Sequence, residues 1–343
     1  MEQLSKQKQY AAVDVFKFFC AILVIFIHTK PFENNFWLDA GVGLLTRFAV
    51  PYFFMASAVF LFRKIDKSET PYKVYGQYFI RLLRFYVIWF VIFNLVDAII
   101  AWSVHNPLWY IKQFFFCTNG SSLWFLSALL WATAIVFFLT RHFKKKVVFG
   151  VSLVFWLFGY VFSTMRVLFV GNAVFDAING TVISFIGTQN GFFFAFPYVA
   201  LAALLAEMDL KKAYKRDVVL VGLLFVFLAV ESLLAVKLLK SDLTFLWLAA
   251  LPMTYFVMRL TLTVELKEHK IYYFMRKSST LVYVLHPLII LFLQWGLQAM
   301  GLIQYDGAHL LLTIATIGLT IALSALLIYL SEKQHTKFIR YMM

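Results

Sequence analysis

Ten times along this chain a run of roughly 18 to 22 mostly apolar residues recurs, the length an α-helix needs to cross the hydrocarbon of a bilayer. The runs fall near 11–28, 41–62, 78–102, 123–140, 147–165, 186–206, 218–236, 243–262, 280–301 and 308–330. A soluble domain carries about a quarter charged residues, whereas this chain has 14% charged and 62% hydrophobic residues. Lipid is therefore its solvent. The first run starts at Ala11 and leads into His28-Thr-Lys-Pro rather than a small-residue cleavage site, so it reads as a retained helix and not as a signal peptide. The expected fold is all-α: a polytopic membrane protein with about ten transmembrane helices. It reads as a single membrane domain over 1–343, with no soluble domain appended. The stretch from Val167 to Asn190 has the weakest span character and could hold a re-entrant or interfacial helix.

A net charge of +14 would suit nucleic acid if it formed a patch. It does not. With the N-terminus inside, about 24 of the 31 basic residues fall in alternate loops, from Lys6 and Lys8 through Arg63 to Arg84, Arg141 to Lys146, Lys211 to Arg216, Arg259 to Lys277 and Lys333 to Arg340. The other side keeps Lys30, Arg47, Lys112, Arg166, Lys237 and Lys240, and Lys17 lies within the first span. This bias predicts that both termini are cytoplasmic. It also excludes a nucleic-acid partner. Two cysteines, Cys20 and Cys117, provide neither a disulfide framework nor a metal-ligand spacing.

Ionisable groups inside hydrocarbon are costly and usually face a bundle interior or a wet cavity. At 100° per residue, Asp14, Lys17 and His28 lie within roughly 60° of one another on the first span, so they share a face that runs from its inner to its outer end. A purely structural reading makes Asp14 and Lys17 an ion pair at the inner interface. On the ninth span Arg276, Ser279, Tyr283 and His286 follow one another at three-, four- and three-residue intervals, again one helical face. Pro287 loosens the backbone beside His286, which could equally be a core histidine bonded to a carbonyl. Arg81 and Arg84 open the third span. They could snorkel to headgroups, or their planar forks could hold phosphate. Ser57 follows an aromatic run in the second span, and Trp124 opens the fourth at the outer interface, where tryptophan is enriched.

Taken together, these residues resemble the membrane-bound acyltransferase family 3, bacterial O-acetyltransferases of surface polysaccharide and peptidoglycan. The resemblance spans most of the chain. It rests on Asp14-x-x-Lys17 with Ile-His28, Phe53-Phe-Met-Ala-Ser57, Arg81-x-x-Arg84, Trp124-Phe-Leu and Ser279-x-x-x-Tyr283-x-x-His286. Two positions depart from the family: Lys17 stands where arginine is usual, and Ser57-Ala58 where Ser-Gly is usual. The lysine and the His28-Thr-Lys-Pro continuation look more like the membrane half of the vancomycin-resistance serine racemase, regarded as a serine carrier.

The resemblance implies a multi-pass protein of the bacterial cytoplasmic membrane that takes acetyl-CoA as donor, uses no metal and acylates a hydroxyl of a cell-envelope glycan or lipid-linked sugar. His28, Asp14 and Lys17 would be its catalytic group and Arg81 and Arg84 its donor-binding pair. Ser57, Trp124, Ser279, Tyr283 and His286 would position the substrates. The competing expectation is a membrane transporter of a small polar solute such as serine. Inverted repeats and Gly/Pro-interrupted helices would mark it; neither is clear in the sequence, although Pro51, Pro197, Pro252 and Pro287 interrupt spans.

Overall fold

The computed structural model describes residues 10–100, 104–118, 121–208, 210, 214–239, 246–267, 269–302, 304–305, 307–333 and 340. Of the basic residues counted above, Lys6, Lys8, Lys211, Lys212, Lys240 and Lys337 lie outside the described residues. No strand occurs among the described residues. The first half of the chain forms α1 (Ala11–Thr29), α2 (Phe36–Thr46), α3 (Ala49–Asp66), α4 (Pro71–Ile100), α5 (Pro107–Phe116), α6 (Trp124–His142) and α7 (Lys145–Ser163). Short helical turns α8 (Ala173–Ile178) and α9 (Ser184–Ile186) follow. The rest comprises α10 (Phe196–Glu207), α11 (Tyr214–Leu239), α12 (Ala250–Thr263), α13 (Lys270–Ala299) and α14 (Ala308–Glu332).

Eight segments among the described residues are long and apolar enough to cross a bilayer. A ninth is a bent pair, 173–186 with 191–207, whose halves meet at 96°. The window at 243–262 departs from expectation: its helix, α12, has only 14 residues. The described residues of all ten windows carry helix, but the windows at 186–206 and 243–262 are interrupted. The stretch read as re-entrant or interfacial contains the first half of that bent pair.

Backbone that leaves the helix at membrane depth must find partners inside the protein, and both interruptions do. At the first, Asn190 accepts from the N–H groups of Phe192 and Phe193 at 2.9 Å each, and its amide donates to the carbonyls of Ile186 and Gly187. Gly191 lets this corner press on α6, because a Cβ there would lie 2.8 Å from that of Trp131. At the second, the buried Glu231 of α11 accepts from Leu248 N–H at 2.7 Å, Ala249 N–H at 3.1 Å and the Tyr160 hydroxyl at 3.3 Å. A carboxylate from a neighbouring helix thereby caps α12. Thr164 adds a bond to the Leu246 carbonyl.

Ion pairs join the start of one helix to the end of another. Lys145 reaches both Asp66 and Glu207 at 2.8 Å, joining α7, α3 and α10. Arg259 pairs with the buried Asp217 at 3.0 Å, closing the α11–α12 hairpin, and Lys277 meets Glu332 at 3.6 Å. This is the basic end of the bundle. At the opposite end His309 bridges Glu33 (2.9 Å) and the Thr29 carbonyl (2.9 Å), fixing α14 to the chain just past α1. Along α14, Thr313, Thr316, Thr320 and Ser324 are buried on one stripe, and small side chains of this kind let helices approach closely in lipid.

Glu231→Leu leaves the Leu248 and Ala249 N–H groups without an acceptor, and unfolding of the detergent-solubilised protein should show a loss of about 2 to 4 kcal/mol. Glu231→Gln keeps one carbonyl oxygen and should lose less; equal stability of wild type and the leucine variant would remove the capping role.

Candidate functional site

The site grows from the pairing of α1 with α13. They lie side by side and parallel, because Asp14 meets Arg276 near their starts while His28 meets His286 further along. Asp14 is buried and accepts both Nε (2.9 Å) and Nη2 (2.7 Å) of Arg276. The Asp14–Lys17 pair anticipated from spacing does not form. Lys17 instead faces a cavity, with its ammonium 6.0 Å from the Phe53 ring centre and no carboxylate within ion-pair distance among the described residues.

This cavity occupies about 840 Å³, within the size range of small-molecule sites. It opens at the basic end between α1, α3, α4, α6 and α13. Its lining includes five basic residues, Lys17, Arg81, Arg276, Lys277 and Arg340, against one acidic residue, Glu332. Tyr78, Phe85, Phe53, Phe125 and Tyr273 supply aromatic surface. Such a wall suits an anion that also carries a flat ring or an apolar arm.

The residues singled out by spacing divide into three groups. Lys17, Ser57, Arg81 and Tyr283 line the cavity together. Arg81 lies over the Tyr78 ring at 5.9 Å. Arg84, three residues on, is exposed and not among the lining residues, so the structure splits the arginine pair. His28 and His286 form a second group, with ring centres 5.1 Å apart. His28 is exposed at the C-terminal end of α1, where Lys30 (φ 43°) and Pro31 stop the helix. His286 is fully buried. Ser279 and Trp124 belong to neither group. The Ser279 hydroxyl is buried and donates to the Arg276 carbonyl, and the cavity position on this turn is Thr280. Trp124 packs against Phe54 and Phe194.

Tyr283 joins the groups. Its ring lies 5.9 Å from that of His286, it lines the inner end of the cavity, and its hydroxyl donates to the Ser122 carbonyl at the start of α6. Contact therefore passes from the cavity through Tyr283 and His286 to His28.

Other members of this constellation escaped the reading of the sequence. Thr280, Tyr273 and Lys277 follow from the face of α13 that carries Arg276 and Tyr283. Glu231, Asp217, Arg259 and His309 carried a plainer signal, an ionisable residue in or beside an apolar run, but nothing in the spacing named their partners.

A family model described as an acyltransferase domain matches residues 10–329. A protein named amino-acid racemase from Enterococcus faecalis is 24% identical over 294 residues, 81% of this chain and 40% of that protein. A serine/alanine racemase of Enterococcus gallinarum is 24% identical over 327 residues, 89% of this chain and 45% of that protein. The chain thus spans less than half the length of these curated relatives. No solved structure matches it.

The Arg276 side chain is 45% exposed and that of Asp14 10%, so solvent screens the bond and its coupling should be about 1 kcal/mol. A double-mutant cycle on Asp14→Ala and Arg276→Ala, read by unfolding, measures it; strictly additive losses would show that the pair does not hold α1 to α13.

Proposed function

Since this chain belongs to the acyltransferase domain family, we propose that it moves an acyl group, acetyl in the first instance, from acyl-CoA at the basic end to a hydroxyl of a cell-envelope glycan on the far side of the membrane. The observation that supports this reading most is the cationic cavity, with Tyr283 in its lining, His286 against Tyr283 and His28 against His286. The excess of basic residues at the cavity's end of the bundle favours a cytoplasmic mouth, which is where acyl-CoA is found.

In this reading Arg81, Arg276 and Lys17 bind the phosphates, and the aromatic wall takes the adenine and the pantetheine arm. Rotation of Tyr283 away from the Ser122 carbonyl would open the way from the thioester to His28. A neutral His28 takes the proton of the acceptor hydroxyl as the C–O bond forms and the C–S bond breaks, then returns it to the leaving thiolate. Transient acylation of the imidazole is the other route open to the same residue. The bend at 186–191 and the segment before it, at the far end with Lys112 against the Ser184 carbonyl, would choose the acceptor.

Carriage of a small polar solute such as serine is the second reading. The specific observations in its favour are the two interrupted segments, 173–207 and α12, of the kind that surround transporter sites, together with the racemase names of its relatives.

Purified protein in liposomes separates them. Turnover of acetyl-CoA, lost in His28→Ala with insertion and monodispersity intact, supports transfer; uptake of labelled serine without acetyl-CoA turnover supports carriage. Arg81→Ala should raise KM for acyl-CoA at least roughly tenfold, with Arg84→Ala weaker because it lies outside the cavity. An unchanged KM in the Arg81 variant would return that arginine to the lipid headgroups.

A further inference from the structure

Among the buried polar groups that the cavity and the ion pairs leave without an account is the ring of His286. The Nδ1 of His286 lies 3.2 Å from the Val282 carbonyl, and a carbonyl can only accept, so Nδ1 carries the hydrogen. In the neutral ring Nε2 is then a bare lone pair. Among the described residues no donor reaches it. A buried acceptor left unpaired costs about 1–3 kcal/mol, so a histidine kept in this state inside a helix bundle points to a donor supplied from nearby. Two rings lie against it. That of Tyr283 has its hydroxyl committed to the Ser122 carbonyl. That of His28 is tilted 39° to it at 5.1 Å, and among the described residues neither nitrogen of His28 is bonded. His28 is also exposed, at the end of α1, and the inferred bond requires its ring to turn about its side-chain torsions.

We infer that His286 is a positioning residue for His28: its Nε2 accepts a hydrogen bond from one ring nitrogen of His28 and so fixes the tautomer in which the opposite nitrogen offers its lone pair to the acceptor hydroxyl. The inference rests on the proposed acyl transfer and gives His28 the third group that orients a general base. The protons balance without His286 titrating. The free nitrogen of His28 takes the hydroxyl proton as the C–O bond forms, the thioester C–S bond breaks, and the same proton passes to the departing sulfur. Throughout, the opposite N–H of His28 remains bonded to His286, which stays neutral. Pro287 contributes by lacking an N–H, which leaves the Tyr283 carbonyl without its helical donor and loosens the turn that carries the His286 ring.

His286→Phe keeps a flat ring in the same pocket and removes both nitrogens, whereas His286→Gln sets an amide oxygen near the place of Nε2. In acyl transfer the phenylalanine variant should lose roughly a hundredfold in kcat with KM for acyl-CoA unchanged, and the glutamine variant should recover most of that loss. A second measurement needs no turnover: in protein labelled with 15N-histidine, the bare-nitrogen resonance of His286 should move when His28→Ala removes its donor. Wild-type kcat in His286→Phe, or an unmoved resonance in His28→Ala, overturns the inference. A resonance that moves in a protein that turns over no acyl-CoA upholds the imidazole pair and sinks the acyl-transfer reading instead.

Discussion

The parallel contact of α1 with α13 is the constraint on which the rest of the arrangement depends. Helices in lipid gain little from hydrophobic association, since the surrounding tails are as apolar as leucine, and they rely on packing and polar bonds. Asp14 and Arg276 supply such a bond at one end of the contact. With that end fixed and the helices parallel, the exposed His28 reaches the buried His286 further along the same contact, ring centres 5.1 Å apart. The same register turns Lys17, Thr280 and Tyr283 to the cavity side. A slip of one turn between these two helices would separate the histidines and bury the lysine against apolar neighbours.

Polar groups inside the bundle are distributed according to what each must satisfy. Glu231 and Asn190 satisfy backbone, at the two places where helices break. The Asp217–Arg259 pair and Lys145 with its two carboxylates satisfy one another and join helix ends. The cavity cations differ in part: Arg276 and Lys277 have carboxylate partners, but Lys17, Arg81 and Arg340 face the same space with no carboxylate within ion-pair distance among the described residues. A surplus of like charge around a cavity destabilises the empty protein and favours an anion inside it. That asymmetry distinguishes a binding chamber from a set of structural salt bridges, and it underlies the proposed placement of the donor.

Tyr283 and His286, one turn apart on α13, connect the cavity lining to His28 by a chain of ring contacts. Tyr283 lines the cavity, the His286 ring lies against Tyr283, and His28, exposed at the end of α1, lies against His286. A proline inside that turn weakens its backbone.

Length and hydropathy of the apolar runs determined that the chain is an all-helical membrane protein, because a backbone in hydrocarbon has almost no other way to pair its polar groups. Helical periodicity likewise made Lys17 and Tyr283 legible as members of inward-facing stripes. What periodicity could not decide is which stripe meets which. The spacing offered Lys17 as the partner of Asp14, and the tertiary structure gave it Arg276, a residue 262 positions away. Arg81 and Arg84 look equivalent in sequence, yet the three-residue step between them turns one to the cavity and leaves the other outside it. The shortness of α12 was hidden too, since hydropathy does not report where a carboxylate on another helix will interrupt a span. A one-dimensional pattern fixes the faces of helices; only their packing decides which faces touch, and here the Asp14–Arg276 bond and the His28–His286 contact both cross between helices.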